Sequence, residues 1–96
     1  MNNLLISYEA KSPKQNNEGV TQAIQSLGDC VKINDSFWYV RSAKNAADAL
    51  AVVSKACDPN NAACVVDATN EVIALDTTAP LEAMSAIRHN WNKGLA

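Results

Sequence analysis

Four consecutive bulky residues, Phe37-Trp38-Tyr39-Val40, constrain this chain more than any other feature. Side chains alternate across a strand, so a strand through these residues carries large groups on both faces. A half-buried surface strand would alternate apolar with polar instead. One face is expected to meet helices. The other would be exposed in a monomer, and it predicts a partner across the sheet.

The neighbouring segments supply the rest of a small α/β domain. Asn3 to Tyr8 reads as a first strand that ends beside the acidic Glu9. The polar stretch Lys11-Ser12-Pro13-Lys14-Gln15-Asn16-Asn17 is a loop, because proline resists continuation of either element. Asn16 or Asn17 is placed to cap a helix, with Glu18 favourable in its first turn. Val20, Ala23, Ile24 and Leu27 recur at helical spacing, and Gly28 is read as a left-handed stop. Strands follow at Cys30 to Ile33 and Phe37 to Arg41, with Asn34-Asp35-Ser36 between them as a hairpin turn in which Asp35 is a turn former.

Ser42 is a candidate cap for a second helix that runs to about Ala56, with Ala46, Ala49, Leu50 and Val53 inward and Asp48 outward. Cys57-Asp58-Pro59-Asn60-Asn61 breaks it. The run Ala62-Ala63-Cys64-Val65-Val66, ending at Asp67, reads as a buried strand. Glu71 to Leu75 is a short extra strand or an extended edge. Thr77, Thr78 and Pro80 announce a third helix, with an apolar stripe at Leu81, Met84, Ile87 and Trp91 that should lie against the sheet or a partner chain. The order strand, helix, strand, strand, helix, strand predicts a single domain over 1–96. Its fold is a ferredoxin-like split βαβ sandwich of α+β class, a four-stranded antiparallel sheet with a C-terminal helical extension. The core spans about 3–68 and the extension about 77–92.

Composition narrows the function. Ninety-six residues with a formal net charge of -2 make a chain that phosphate repels as a whole. Lys11 and Lys14 in the first loop, with Arg41 and Lys44 and the nearby Lys32, form only a thin basic footprint for nucleic acid. The three cysteines are odd in number and no leader precedes the first strand, which predicts unpaired thiols and a cytoplasmic location. Cys57 and Cys64, with six residues between them, and the single histidine, His89, fall short of a zinc pattern. No apolar stretch is long enough to cross a membrane. A phosphate loop, a nucleophile elbow and a HExxH motif are all missing, which argues against the enzyme classes that use them.

Three segments carry a family resemblance: Leu5-Ile6-Ser7-Tyr8-Glu9, Ile24-Gln25-Ser26-Leu27-Gly28 and Asp35-Ser36-Phe37-Trp38-Tyr39-Val40. Over about positions 3 to 68 they resemble the CRISPR-associated, Cas2-related family, nearest to its stand-alone SinR-like members. The resemblance implies a ferredoxin-like homodimer with two facing sheets and the first-strand acidic residue near the cleft between them. Several members are metal-dependent nucleases, and others are structural adaptors of DNA-integration complexes. Their acidic residue is usually an aspartate after tyrosine, in the position matched by Glu9. Glutamate carries the charge one methylene further out, which strains an inherited magnesium geometry.

Two functions follow. In the first the chain is a Cas2-like dimeric module that associates with itself and with nucleic acid or another protein, and needs no cofactor. In the second it is an endonuclease in which Glu9 holds Mg or Mn at the dimer cleft and activates water. Ser7, Tyr8 and Ser36 would then support the site, with Asp67 as a second acidic centre. Against this, Glu9 also reads as a solvated strand-end carboxylate, and Asp67 begins what looks like a simple turn. Tyr8, Phe37, Trp38 and Tyr39 could stack bases, although core or dimer contact suits them better given the little basic charge among them.

Overall fold

The computed structural model describes residues 1–8, 17–34, 36–57, 62–76 and 78–91. Its elements are β1 (Asn2–Tyr8), α1 (Asn17–Gln25), β2 (Gly28–Asn34), β3 (Phe37–Ser42), α2 (Ala46–Ala56), β4 (Ala63–Asp67) and α3 (Leu81–Asn90). The strands form one sheet in the order β2-β3-β1-β4, and every neighbouring pair is antiparallel. This is the ferredoxin-like split βαβ arrangement, with β1 and β3 in the centre and β2 and β4 at the edges. Among the described residues no helix is long and apolar enough to cross a membrane.

One face of the sheet follows the sequence expectation. Leu4, Ile6 and Tyr8 of β1 and Trp38 and Val40 of β3 point to the same side and pack on Val20 and Ile24 of α1 and Ala49 and Val53 of α2. Each large aliphatic group removed from water there contributes roughly 1.5–3 kcal/mol. The cap of α2 differs from expectation. Asn45, not Ser42, accepts a bond from the Asp48 amide at 2.8 Å. Ser42 is the last residue of β3, buried, and its hydroxyl accepts from the Lys44 amide at 3.1 Å. The three residues between Ser42 and the first helical turn put its hydroxyl out of capping reach.

On the opposite face the structure takes one of the two covers the sequence allowed, the chain's own third helix: α3 lies across it, and Tyr39 is buried with Ile87, Trp91 and Ala68. Ile73 and Leu75 add partly buried side chains to the same cluster, while Val72 is 95% exposed. Glu71 to Leu75 has no strand assignment and serves as an irregular cover. The inward stripe of α3 is Ala83, Ile87, Asn90 and Trp91. Leu81 is 80% exposed and Met84 only half-buried. Leu81 lies roughly 160° around the helix from Ala83, given about 100° per residue, so both cannot face the sheet. Pro80 sits at the cap position, and its carbonyl accepts from the amides of Ala83 at 3.0 Å and Met84 at 3.1 Å.

Two further corrections concern local geometry. β4 is an edge strand, with Cys64 exposed and Val66 50% exposed, and not the buried strand its apolar run implied. A short apolar run carries no mark of its place in the sheet order. Gly28 does not close α1 as a left-handed cap. The helix ends at Gln25, Ser26 and Leu27 turn, and Gly28 opens β2 opposite Ser42 with φ 154°. A Cβ at that position would stand 2.1 Å from the Arg41 carbonyl oxygen. Close approach of two strands therefore requires the glycine.

Gly28→Ala is expected to cost roughly 2 kcal/mol or more, since both the backbone angle and the Arg41 carbonyl must shift. Urea unfolding should show a lower midpoint with an unchanged slope. An unaltered midpoint would mean that β3 yields freely at this point.

Candidate functional site

The sequence-predicted residues separate onto two ends of the sheet. At the carboxyl end of β1, Ser7 is exposed and stands between Phe37 of β3 and Cys64 of β4. Tyr8 is buried on the α1–α2 side, and its amide donates to the Ser36 carbonyl at 3.2 Å. The Ser36 amide in turn donates to the Asn34 carboxamide oxygen at 3.4 Å and helps shape the hairpin. Ser7, Tyr8 and Ser36 are thus brought together. Glu9, Lys11, Lys14 and Asp35 lie outside the described residues.

Asp67 belongs to the other end. It pairs with Leu4, whereas Tyr8 pairs with Ala63. Four residue steps along a strand amount to roughly 13 Å. Its carboxylate accepts from the Thr69 amide at 3.1 Å and also from the Thr69 hydroxyl, which makes a side-chain turn of the kind aspartate favours. Arg41 is at this end as well, and its guanidinium donates to the Asn90 carbonyl at 2.6 Å. Lys44 is exposed, and its carbonyl accepts from the Asn2 side chain at 2.9 Å. His89 is exposed on α3. Among the described residues no three of His, Cys, Asp and Glu gather as metal ligands would.

The aromatic residues do not form one platform. Tyr8 and Trp38 face α1 and α2, Tyr39 faces α3, and all three are buried. Only Phe37 retains partial exposure. Lys32 extends its ammonium to 5.9 Å from the Trp38 ring centroid, within cation–π range. The Trp38 indole N–H is buried and meets no hydrogen-bond partner among the described residues.

The densest polar construction centres on Asn3, which sequence reasoning passed over. Asn3 is buried, and its side-chain NH2 donates to the Trp91 carbonyl at 2.6 Å. Its side-chain oxygen accepts from the Tyr39 hydroxyl at 2.7 Å. Its backbone N–H donates to the Thr69 hydroxyl at 3.1 Å, and its carbonyl accepts from the Ala68 amide at 2.8 Å. The Trp91 indole N–H donates to the Glu71 carbonyl at 2.8 Å, with the Tyr39 and Trp91 rings 5.6 Å apart. Together with Arg41 on Asn90, these bonds satisfy carbonyls that the end of α3 would leave unpaired. One signal could have pointed to the arrangement: a buried tyrosine needs a partner for its hydroxyl, and Asn3 shares a face with Leu5, opposite Tyr39.

Burial also sets the local acid–base behaviour. It pushes the Tyr39 hydroxyl above the usual tyrosine range, opposed by the Arg41 guanidinium and reinforced by Asp29. Burial likewise raises the Cys30 thiol, with Asp29 adding to it, and raises Cys57. All three cysteines are unpaired, and Cys64 alone is exposed.

No protein-family model, curated protein or solved structure matches this chain. The fold and the placement of its residues define a small ferredoxin-like domain with its own helices on both sheet faces.

A tyrosine whose folded pKa lies above its unfolded value contributes stability that is complete below the unfolded value. That contribution fades as pH rises from about 10 through the folded pKa. Tyr39→Phe should remove this alkaline decline. At neutral pH it should cost about 1 kcal/mol, since the bond to Asn3 is lost. Chemical unfolding of both proteins at neutral and alkaline pH checks this, and parallel declines would refute the role given to Tyr39.

Proposed function

We propose that this domain works by association and not by catalysis, in the manner of the adaptor members of the Cas2-related family that it resembles. One contrast carries the reading. Among the described residues, Arg41 is tied to the Asn90 carbonyl and Asp67 to its own turn at Thr69, while apolar Val66, Val72 and Leu81 stand in water. Exposed apolar side chains are ordinary when scattered and informative when they adjoin. Cys64 and Val66 adjoin on one strand edge. The partner is a second copy of the chain, with nucleic acid or another protein engaged by the resulting dimer. Unpaired thiols suit a reducing, cytoplasmic setting.

The second reading is a divalent-metal endonuclease centred on Glu9 with Mg or Mn. It is favoured by the backbone adjacency of Ser7, Tyr8 and Ser36 at the end of β1, just before that residue. Hydrogen bonds from serine hydroxyls could orient a carboxylate or a metal-bound water there. Nucleic-acid contact would run through Lys11, Lys14, Arg41 and Lys44, with Arg41 keeping one nitrogen on the Asn90 carbonyl and offering its remaining N–H groups.

Light scattering at tens of micromolar is expected to give twice the chain mass, and a persistent monomer would remove self-association. Incubation of wild type and Glu9→Gln with RNA or duplex DNA and Mg or Mn is expected to yield no cleavage by either. Cleavage by wild type alone would replace the association reading with the endonuclease. Equal cleavage by both would leave an enzyme whose site is not Glu9.

A further inference from the structure

The two edges of the sheet are defended differently. β2 carries Asp29 and Lys32, shifts register between Lys32 and Asn34, and has α3 packed against it. Charges and bulges of that kind prevent a foreign strand from adding to an edge. β4 reads Ala63-Cys64-Val65-Val66-Asp67, with no lysine, proline or register shift and a single charge at its last residue. Among the described residues β4 is the edge that none of these devices guards.

The hydrogen bonds show what that edge offers. The Ala68 amide donates to the Asn3 carbonyl, so residues 64, 66 and 68 direct their backbone groups toward β1. By alternation, Ala63, Val65 and Asp67 direct their N–H and C=O groups outward. Cys64 and Val66 lie on the face that carries α3, and both are exposed there.

We propose that β4 is the contact between two copies of this chain, joined antiparallel about a two-fold axis through Val65. The two four-stranded sheets then run as one continuous sheet. The strand matches itself in this register. Val65 meets the partner's Val65, Ala63 meets the partner's Asp67, and all outward backbone groups are bonded. No like charges face one another. Cys64 lies beside the partner's Val66, so the two exposed apolar side chains cover each other. This inference rests on the association reading and specifies its surface. The dimer arises at the sheet edge because α3 occupies the sheet face.

The register can be tested directly. Cys64 and the partner's Val66 form a non-hydrogen-bonded pair with Cα atoms about 4.5 Å apart, within the roughly 4.4–6.8 Å that a disulfide spans. Val66→Cys in a Cys57→Ser background should therefore give a covalent dimer with oxidised glutathione. Adding Cys64→Ser should abolish it, because the two thiols introduced at position 66 are diagonal to each other and roughly 7–8 Å apart. Val66→Lys, at an exposed position, should raise the dimer dissociation constant about tenfold or more through two lost cross-strand contacts. A dimer that survives Val66→Lys unchanged and forms no bond through Cys64 would overturn the β4 contact and leave the association reading standing. A chain that stays monomeric at all concentrations would overturn both.

Discussion

The buried carboxamide of Asn3 is the interaction on which the second half of this structure depends. It faces the end of α3 with its NH2 group and the Tyr39 hydroxyl with its oxygen, so one side chain couples a central strand to the terminal helix. An aspartate at that position could accept from Tyr39 and would repel the Trp91 carbonyl. A leucine would satisfy neither group. Each polar atom left without a partner there would cost about 1–3 kcal/mol. Arg41 repeats the arrangement one residue along the helix end, on the Asn90 carbonyl. The carboxyl end of a helix carries partial negative charge, so a guanidinium beside it is favourable on electrostatic grounds too.

Because α3 is fixed in this way, both faces of β3 are covered by one chain. Trp38 and Val40 belong to the cluster under α1 and α2, and Tyr39 belongs to the cluster under α3. A domain of this size has little core to spare, and a second apolar cluster is a substantial share of its stability. What a partner would supply in a domain with an open sheet is here supplied by residues 68 to 91. Self-association, if it uses backbone pairing, is then left to an edge strand. In β4 the outward groups are available, and the flanking side chains are apolar.

The sequence carried the order and kind of the elements, and the reason is periodic burial. Val20 and Ile24 of α1 and the alternation of Leu4 and Ile6 in β1 record which side of each element meets the helix layer. Three kinds of information were not legible. The position of β4 in the sheet depends on pairing between distant segments, and an apolar run of five residues reads the same at an edge as in the centre. The rotation of α3 depends on what it lies against, so the conspicuous Leu81 reads as inward while small Ala83 and polar Asn90 are the residues buried. Asn3 resembles a polar residue at the start of a strand, and its role exists only once Tyr39 and Trp91 meet it. The candidate site was legible in part, since Ser7 and Tyr8 end the first strand and Ser36 lies in the turn before its neighbour β3. Asp67 lies at the opposite end of the sheet from them, because β4 runs antiparallel to β1 and the carboxyl ends of the two strands are opposed.

The same bulky run, Phe37 to Val40, leads from a correct premise to a different cover. Large side chains on both faces of a central strand do require two apolar layers. The requirement does not say whether the second layer comes from a partner or from downstream residues of the same chain. The connection between Asp67 and Leu81 is long enough for the chain to return over the sheet, because even partly extended residues advance about 3 Å each. Loop closure of that length costs little more than a shorter one. Docking of Ile87 and Trp91 on Tyr39 offsets it readily, on the order of 1.5–3 kcal/mol for each large side chain removed from water. Intramolecular cover therefore needs no particular protein concentration, whereas cover by a second chain does. That difference leaves the sheet edge free to form and release a contact without exposing the core.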